Sequence, residues 1–261
     1  MRLAAVGSNC IDYYKNINKI TPGGGPLNVA VYAVRNGNEA SYIGPVGNDE
    51  YGRIIYEAVK NKGVDVSHLK IVEGKTAVSE VKLINNERVF GEYDEGVLSN
   101  YTLSEEDIDF ISSHDAVICD LWGKVGKQFK QLKERNIITA FDCANRPDDE
   151  EALSVMPYTD YLFFSADKDN DELRKQMITY QNKGSKMVIA MLGKEGSLCY
   201  DGSIFHKFGI VKCDNLVDTM GAGDSYIAGF LEGIVGKLDI EECMYKGALC
   251  ASVTIQYFGA W

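Results

Sequence analysis

Short apolar runs alternate with longer amphipathic runs along most of this 261-residue chain. That alternation limits the fold more than any other feature. Residues 3–6, 40–43, 116–119, 138–141, 161–164 and 186–192 have the length and the β-branched or aromatic content of buried strands. Helical patterns occupy 28–36, 51–62, 126–135, 171–183, 225–236 and 241–257. Strands that alternate with helices predict an α/β fold with a mostly parallel central sheet, and such sheets bind ligands at the carboxyl ends of their strands. Two segments break the rhythm. Residues from about 9 to 20 and from about 76 to 97 read as paired strands without a helix between them. The second turns at Asn85-Asn86 in hairpin fashion. A small extra sheet beside a parallel core predicts a lid on a single domain spanning 1–261.

The composition narrows the partners. A formal net charge of -11 argues against general binding to nucleic acid or to an anionic membrane, though not against a local phosphate pocket. Seven cysteines without a Cys-x-x-Cys pair predict buried free thiols in a reducing compartment. The first apolar run stops at Gly7, too soon for a signal peptide. No run approaches the ~18 apolar residues of a membrane span. A cytoplasmic protein is expected. His68, His114 and His206 share no metal-ligand spacing and read as structural or surface residues. Ser104-Glu105-Glu106-Asp107 reads as a helix start with a solvated acidic face.

The clearest chemistry lies in Asp218-Thr219-Met220-Gly221-Ala222-Gly223-Asp224-Ser225. Three small residues permit a tight turn, and a helical apolar pattern (Tyr226, Ile227, Phe230, Leu231, Ile234) follows. Such a turn presents free N–H groups and the positive end of a helix to an anion. Asp224 then stands where a phosphate would arrive. A carboxylate there is repelled unless it has a task, and taking the proton of an attacking hydroxyl is one. A capped helix with no ligand has the same local residues, so the motif by itself leaves both readings open. Thr21-Pro22-Gly23-Gly24-Gly25-Pro26-Leu27-Asn28 is a second glycine-rich loop that runs into a helix. Gly44-Pro45-Val46-Gly47-Asn48-Asp49 reads as another loop and helix start, with Asp49 near the N-cap.

Three ordered blocks resemble the ribokinase-like (pfkB) carbohydrate kinases: Gly24-Gly25-x-x-Asn28-Val29-Ala30, Gly44-x-x-Gly47-x-Asp49-x-x-Gly52 and Asp218-Thr219-x-Gly221-Ala222-Gly223-Asp224. Met191-Leu192-Gly193-Lys194-Glu195-Gly196 adds a fourth, similar to the nucleotide-side loop of that family. The resemblance spans essentially the whole chain. It implies a three-layer α/β fold with a small β lid and transfer of the γ-phosphoryl group of ATP to a sugar hydroxyl. Gly221, Ala222 and Gly223 would form the anion hole with their N–H groups, and Asp224 would be the base. Asp12, Gly24, Gly25 and Asn28 would bind the sugar. Gly193, Lys194 and Gly196 would serve the nucleotide. Asp218 would stand at a site for a monovalent cation such as K+, or serve as a turn carboxylate. Mg2+ would accompany ATP; its protein ligands stay unassigned.

Departures and finer matches follow. Where the family often carries Asn-x-x-Glu, this chain has Ser165-Ala166-Asp167-Lys168, which leaves Asp167 or Asp169 as stand-ins. Asp142-x-Ala144-x-Arg146 matches the family only in part, and Asp142 ends a strand. Phe90-Gly91-Glu92-Tyr93 and the run from Ala251 to Trp261 resemble the family's kinases of fructose–amino-acid adducts. That resemblance implies phosphorylation of the 6-hydroxyl of such an adduct, fructoselysine or a relative. Arg88, Arg146, Lys15 and Tyr93 are then candidates to meet the α-carboxylate. Another sugar (a ketose, ribose or a nucleoside) and a sugar-binding regulator without catalysis are the alternatives. The expected partner is a small sugar or sugar–amino-acid substrate, with a possible second copy of the chain paired through the lid strands.

Overall fold

The structure, a computed structural model, describes residues 1–84 and 87–261, with side chains outside 83–88. Its center is a nine-stranded sheet. In chain order the strands are β1 (Arg2–Val6), β4 (Glu39–Gly47), β5 (Leu69–Val72), β8 (Ala116–Asp120), β9 (Ile138–Asp142), β10 (Tyr161–Ser165), β11 (Met187–Met191), β12 (Ser197–Tyr200) and β13 (Phe205–Phe208). In space they run β13-β12-β11-β10-β9-β8-β1-β4-β5. All neighbours pair in parallel from β5 to β11; β12 and β13 add antiparallel at one edge. A second sheet has the order β3-β2-β6-β7, from β2 (Cys10–Tyr14), β3 (Lys19–Gly23), β6 (Val78–Ile84) and β7 (Glu87–Asp94). These are the two segments expected to pair without helices. The central β2–β6 contact is parallel and the outer two are antiparallel. The expected turn at Asn85-Asn86 lies outside the described residues.

Residue alternation along each parallel strand builds two cores, one on each face of the large sheet. Leu3, Ala5, Ala116, Ile118, Tyr161 and Phe163 face α1 (Gly25–Arg35), α2 (Glu50–Asn61), α7 (Ala222–Val235) and α8 (Ile240–Thr254). Their neighbours Ala4, Val6, Val117, Cys119, Leu162 and Phe164 face α3 (Glu105–Ile111), α4 (Gly126–Glu134), α5 (Glu150–Val155) and α6 (Asp171–Asn182). Three layers result. Because the strands are parallel, β8, β9, β10 and β11 all end on one edge, and the second sheet leaves β1 on that same edge after only Gly7, Ser8 and Asn9. Five of the seven cysteines are buried and all are free; Cys213 and Cys250 are half-buried. Among the described residues no helix is long and apolar enough to cross a membrane.

Two sequence expectations need correcting. The block from Gly44 to Gly47 is the end of β4, not a loop, because it is buried and pairs with β5. Asp49 does cap α2, accepting from the Gly52 N–H at 2.8 Å. It also takes the Thr76 N–H at 2.9 Å, and so ties the root of β6 to the large sheet. The acidic face at Ser104 is not wholly solvated either. Asp107 completes a capping box with Ser104 and is fully buried, held by His68 at 2.9 Å and Lys70 at 2.5 Å. Although burial works against ionisation, these donors hold the Asp107 carboxyl down at about 2. The folded value lies below the unfolded one, so its contribution is complete at neutral pH and is lost as pH falls from about 4 toward 2. We expect Asp107→Ala to cost about 2 kcal/mol of stability at neutral pH and to flatten the acid side of the melting curve. Denaturant unfolding at pH 7 and pH 3 tests this, and an equal loss at both pH values would contradict it.

Candidate active site

Four carboxylates gather where the two sheets meet. Asp120 ends β8, Asp142 ends β9 directly beside it in register, Asp12 lies in β2, and Asp224 sits in the first turn of α7. Gly25, the first residue of α1, gives a ruler: a β-carbon there would lie 3.3 Å from Asp120 Oδ2 and 3.6 Å from Asp224 Oδ1. The glycine leaves room for a ligand between the two carboxylates. Gly23 does the same for Asp12, whose Oδ2 would lie 2.4 Å from a β-carbon at that position. Only a residue without a side chain lets Asp12 turn inward there.

Burial and crowding set the charge state. Burial, then repulsion from Asp142, pushes the Asp224 carboxyl up to about 8; an Asn28 N–H opposes this, and Asp120 and Asp12 add to it. Burial likewise lifts Asp120 to about 7, against a hydrogen bond from Ser8, and lifts Asp142 to about 6. Ser8 Oγ donates to Asp120 at 2.5 Å. Asn28 Nδ2 donates to Asp224 Oδ2 at 2.8 Å, while its Oδ1 accepts from Trp261 Nε1 at 2.7 Å. The cleft is therefore short of positive charge.

The glycine turn before α7 differs in one detail from expectation. The Ala222 N–H is already donated to the Thr219 carbonyl at 3.2 Å, which takes Ala222 out of the expected trio of anion donors. The N–H groups of Gly223 and Asp224, in the open first turn of α7, have no acceptor within the helix. Asp218 acts as a turn carboxylate: it accepts from the Met220 N–H at 3.0 Å and the Gly259 N–H at 2.9 Å. The Gly193–Glu195 turn follows β11, and Met191 lies against Gly223, its Sδ 3.6 Å from where a β-carbon would be. Gly193 and Lys194 are exposed on that side, with Gly196 closing the turn by accepting from the Leu192 N–H at 2.8 Å.

The other expected residues divide. Arg88 pairs through its backbone with Leu83, and its side chain lies outside the described residues. Lys15 is bound to Glu80 at 3.1 Å and Arg146 to Asp149, both on the surface. Tyr93 packs against Cys10, Ala77 and Leu98, within the influence of Asp12 and Asp120, and burial raises its hydroxyl pKa. Ser165, Asp167 and Lys168 are exposed; Asp169 is engaged by Arg174 at 2.8 Å and Lys207 at 3.0 Å and held at about 2, chiefly by Arg174. The histidines bond to Asp107, Ser41 and Asp201, as structural residues do. Sequence reasoning missed Asp120, and it named Gly23 and Trp261 without the places they take beside Asp12 and Asn28. A carboxylate at the end of an apolar run signals Asp120; nothing local signals those two contacts.

With this geometry in view, the relatives are informative. A model of the pfkB family of carbohydrate kinases matches residues 14–261. The fructoselysine 6-kinase of Shigella flexneri is 40% identical over 259 residues, covering 99% of each chain. A fructosamine kinase of Bacillus subtilis is 34% identical over 266 residues, covering 100% of this chain and 93% of its own. Among solved structures, an Arabidopsis thaliana ribokinase complexed with ribose and ATP superposes with a TM-score of 0.87 at 20% identity, over 99% of this chain and 93% of that one. The fold is ribokinase-like. The chain belongs to the pfkB family and is a carbohydrate kinase.

One expectation tests the shape of the cleft. Gly25→Ala meets only side-chain oxygens and keeps an ordinary backbone conformation, so the fold survives. Its methyl group fills the space between Asp120 and Asp224. Sugar KM rises at least ~10-fold while the melting temperature stays within a few degrees. An unchanged KM would place the acceptor elsewhere.

Proposed function

We propose that this kinase transfers the γ-phosphoryl group of ATP to the 6-hydroxyl of a fructose–amino-acid adduct, with fructoselysine as the leading candidate. The observation that carries the reading is the carboxylate cluster. Carboxylates can accept hydrogen bonds from the hydroxyls of any sugar, whereas the C1 amine of a fructosamine, protonated at neutral pH, also neutralises part of the cluster's charge. The names of the full-length relatives point the same way.

In this reading Asp120 meets the ammonium group, and Asp12 and the backbone of Gly24 and Gly25 hold the sugar hydroxyls. Asp224 accepts the proton of the 6-hydroxyl as its oxygen bonds to the γ-phosphorus. The bond from that phosphorus to the bridging oxygen breaks, and ADP leaves. The N–H groups of Gly223 and Asp224 face the charge that develops on the phosphoryl oxygens, as fixed dipoles that need little reorganisation. Gly193, Lys194 and Gly196 flank the nucleotide. Among the described residues no three His, Cys, Asp or Glu side chains are grouped to hold a metal. A Mg2+ ion carried in on the phosphates would neutralise part of their charge.

ADP release from Mg-ATP across fructoselysine, other fructose–amino-acid adducts, fructose, ribose and adenosine tests the assignment. Selective turnover of the adducts is expected; turnover of a bare sugar alone would overturn the substrate. Asp224→Asn should leave sugar affinity within a few-fold and lower kcat by ~10²-fold or more. Because Asp224 must be ionised to act, kcat/KM should climb with pH toward about 8 and fall on the acid side. Asp120→Asn should raise KM for the adduct by roughly 30-fold, leave KM for fructose nearly unchanged, and move the acid limb to lower pH by removing a neighbouring negative charge. Equal losses on adduct and fructose would remove Asp120 from amine recognition.

A further inference from the structure

The C-terminal segment passes close to the catalytic cleft without entering it, and several bonds hold it there. The Ala260 carbonyl accepts from the hydroxyls of Tyr32 and Tyr257, and the Gly259 N–H is donated to Asp218. Arg35 binds Tyr257 and Thr254 from α1. These contacts bring the half-buried Trp261 ring beside the first turn of α1, where its Nε1 donates to Asn28 Oδ1 at 2.7 Å. Asn28 is itself 4% exposed, and its Nδ2 donates to Asp224 at 2.8 Å.

An amide can face either way, but an indole N–H can only donate. Whatever meets Trp261 must be the oxygen of Asn28, so the amide nitrogen must face Asp224. We propose that Trp261 is a positioning residue for phosphoryl transfer: it fixes the orientation of the Asn28 amide and thereby keeps an N–H donor aimed at the Asp224 carboxylate. The proposal rests on Asp224 acting as the base. Without the indole donor, the amide is free to turn its oxygen toward Asp224. An oxygen repels the carboxylate and favours the protonated acid, which cannot accept the proton of the hydroxyl.

The charges that bear on Asp224 are otherwise unaltered by a change at Trp261. They are Asp142 from β9, Asp120 from β8 and Asp12 from β2, with the Tyr32 hydroxyl from α1 nearby. None of them touches the indole nitrogen through a hydrogen bond. A shift in the titration of Asp224 therefore reports on Asn28. Asn28 makes two hydrogen bonds within the protein, one to Trp261 and one to Asp224, and its amide keeps a second N–H and a second lone pair.

Trp261→Phe keeps an aromatic ring and removes the donor. We expect kcat to fall about 10-fold, the acid limb of the kcat–pH profile to move up by roughly half to one pH unit, and KM for the sugar to change less than ~3-fold. In an Asn28→Ala background, where no amide remains to be oriented, Trp261→Phe should have no further effect on kcat. An unchanged pH profile in the single variant would overturn the proposal. So would the same 10-fold loss in the Asn28→Ala background, since Trp261 would then act by another route, packing included. Asp224→Asn separates this from the parent reading. If that variant stays active, the base assignment fails; if it is inactive while Trp261→Phe behaves as wild type, only the positioning role fails.

Discussion

Repulsion among Asp12, Asp120, Asp142 and Asp224 is the interaction around which the rest of the molecule is arranged. Each carboxylate is placed by a different element: a strand of the small sheet, two neighbouring strand ends and a helix start. No one of these elements could hold four acids near one another, and burial with mutual repulsion keeps Asp224 and Asp120 from ionising fully at neutral pH. The three-layer core can hold them, because two apolar faces fix the parallel strands and leave their ends little freedom. Local donors offset part of the cost. Ser8 serves Asp120, the Ala144 N–H serves Asp142, and Asn28 serves Asp224. What remains is an electrostatic demand that protein groups leave unmet. A bound cation would meet it.

The fold was largely readable from the sequence because its dominant signals are local. Buried parallel strands are short continuous apolar runs, as in residues 161–164, and the longer helices show their period; the six-residue α5 and the half-exposed edge strand β5 are too short to do either. The antiparallel edge strands β12 and β13 escaped notice. They are only four residues each, β12 mostly buried and β13 half-buried to exposed, and no helix separates them. The small sheet was legible as a hairpin pattern, but its parallel β2–β6 contact joins strands that are distant in sequence, and spacing cannot reveal it.

The site divides along the same line. Gly221-Ala222-Gly223-Asp224 announces itself as a turn that runs into a helix, whereas in the other glycine-rich block Thr21–Gly23 belongs to β3 and only Gly24 separates strand from helix, so the expected loop there is mostly strand. Asp107 was misread as solvated because its partners, His68 and Lys70, come from another strand region. Trp261 was legible only as part of a family likeness, since its partner lies at the other end of the chain. The Ala222 N–H was expected to face an anion and instead closes the turn onto Thr219. A motif says which residues come together; it does not say which of their hydrogen-bonding groups are already committed.

The root of the small sheet has a mechanical meaning. Gly7, Ser8 and Asn9 form its short stem. Ser8 is fastened to Asp120, and Asn9 to the Tyr42 hydroxyl at 2.8 Å and the Pro45 carbonyl at 2.7 Å. Asp49 fastens the second stem through Thr76. A plate clamped along one side bends like a cantilever, with displacement growing away from the clamp. Asp12 lies near the fixed side and keeps its place when the plate tilts. Val89 and Phe90, exposed farther out on β7, travel the most for the same tilt. The inner end of the sheet is thus fixed beside the carboxylates, and its outer, apolar part is the end left with freedom to move.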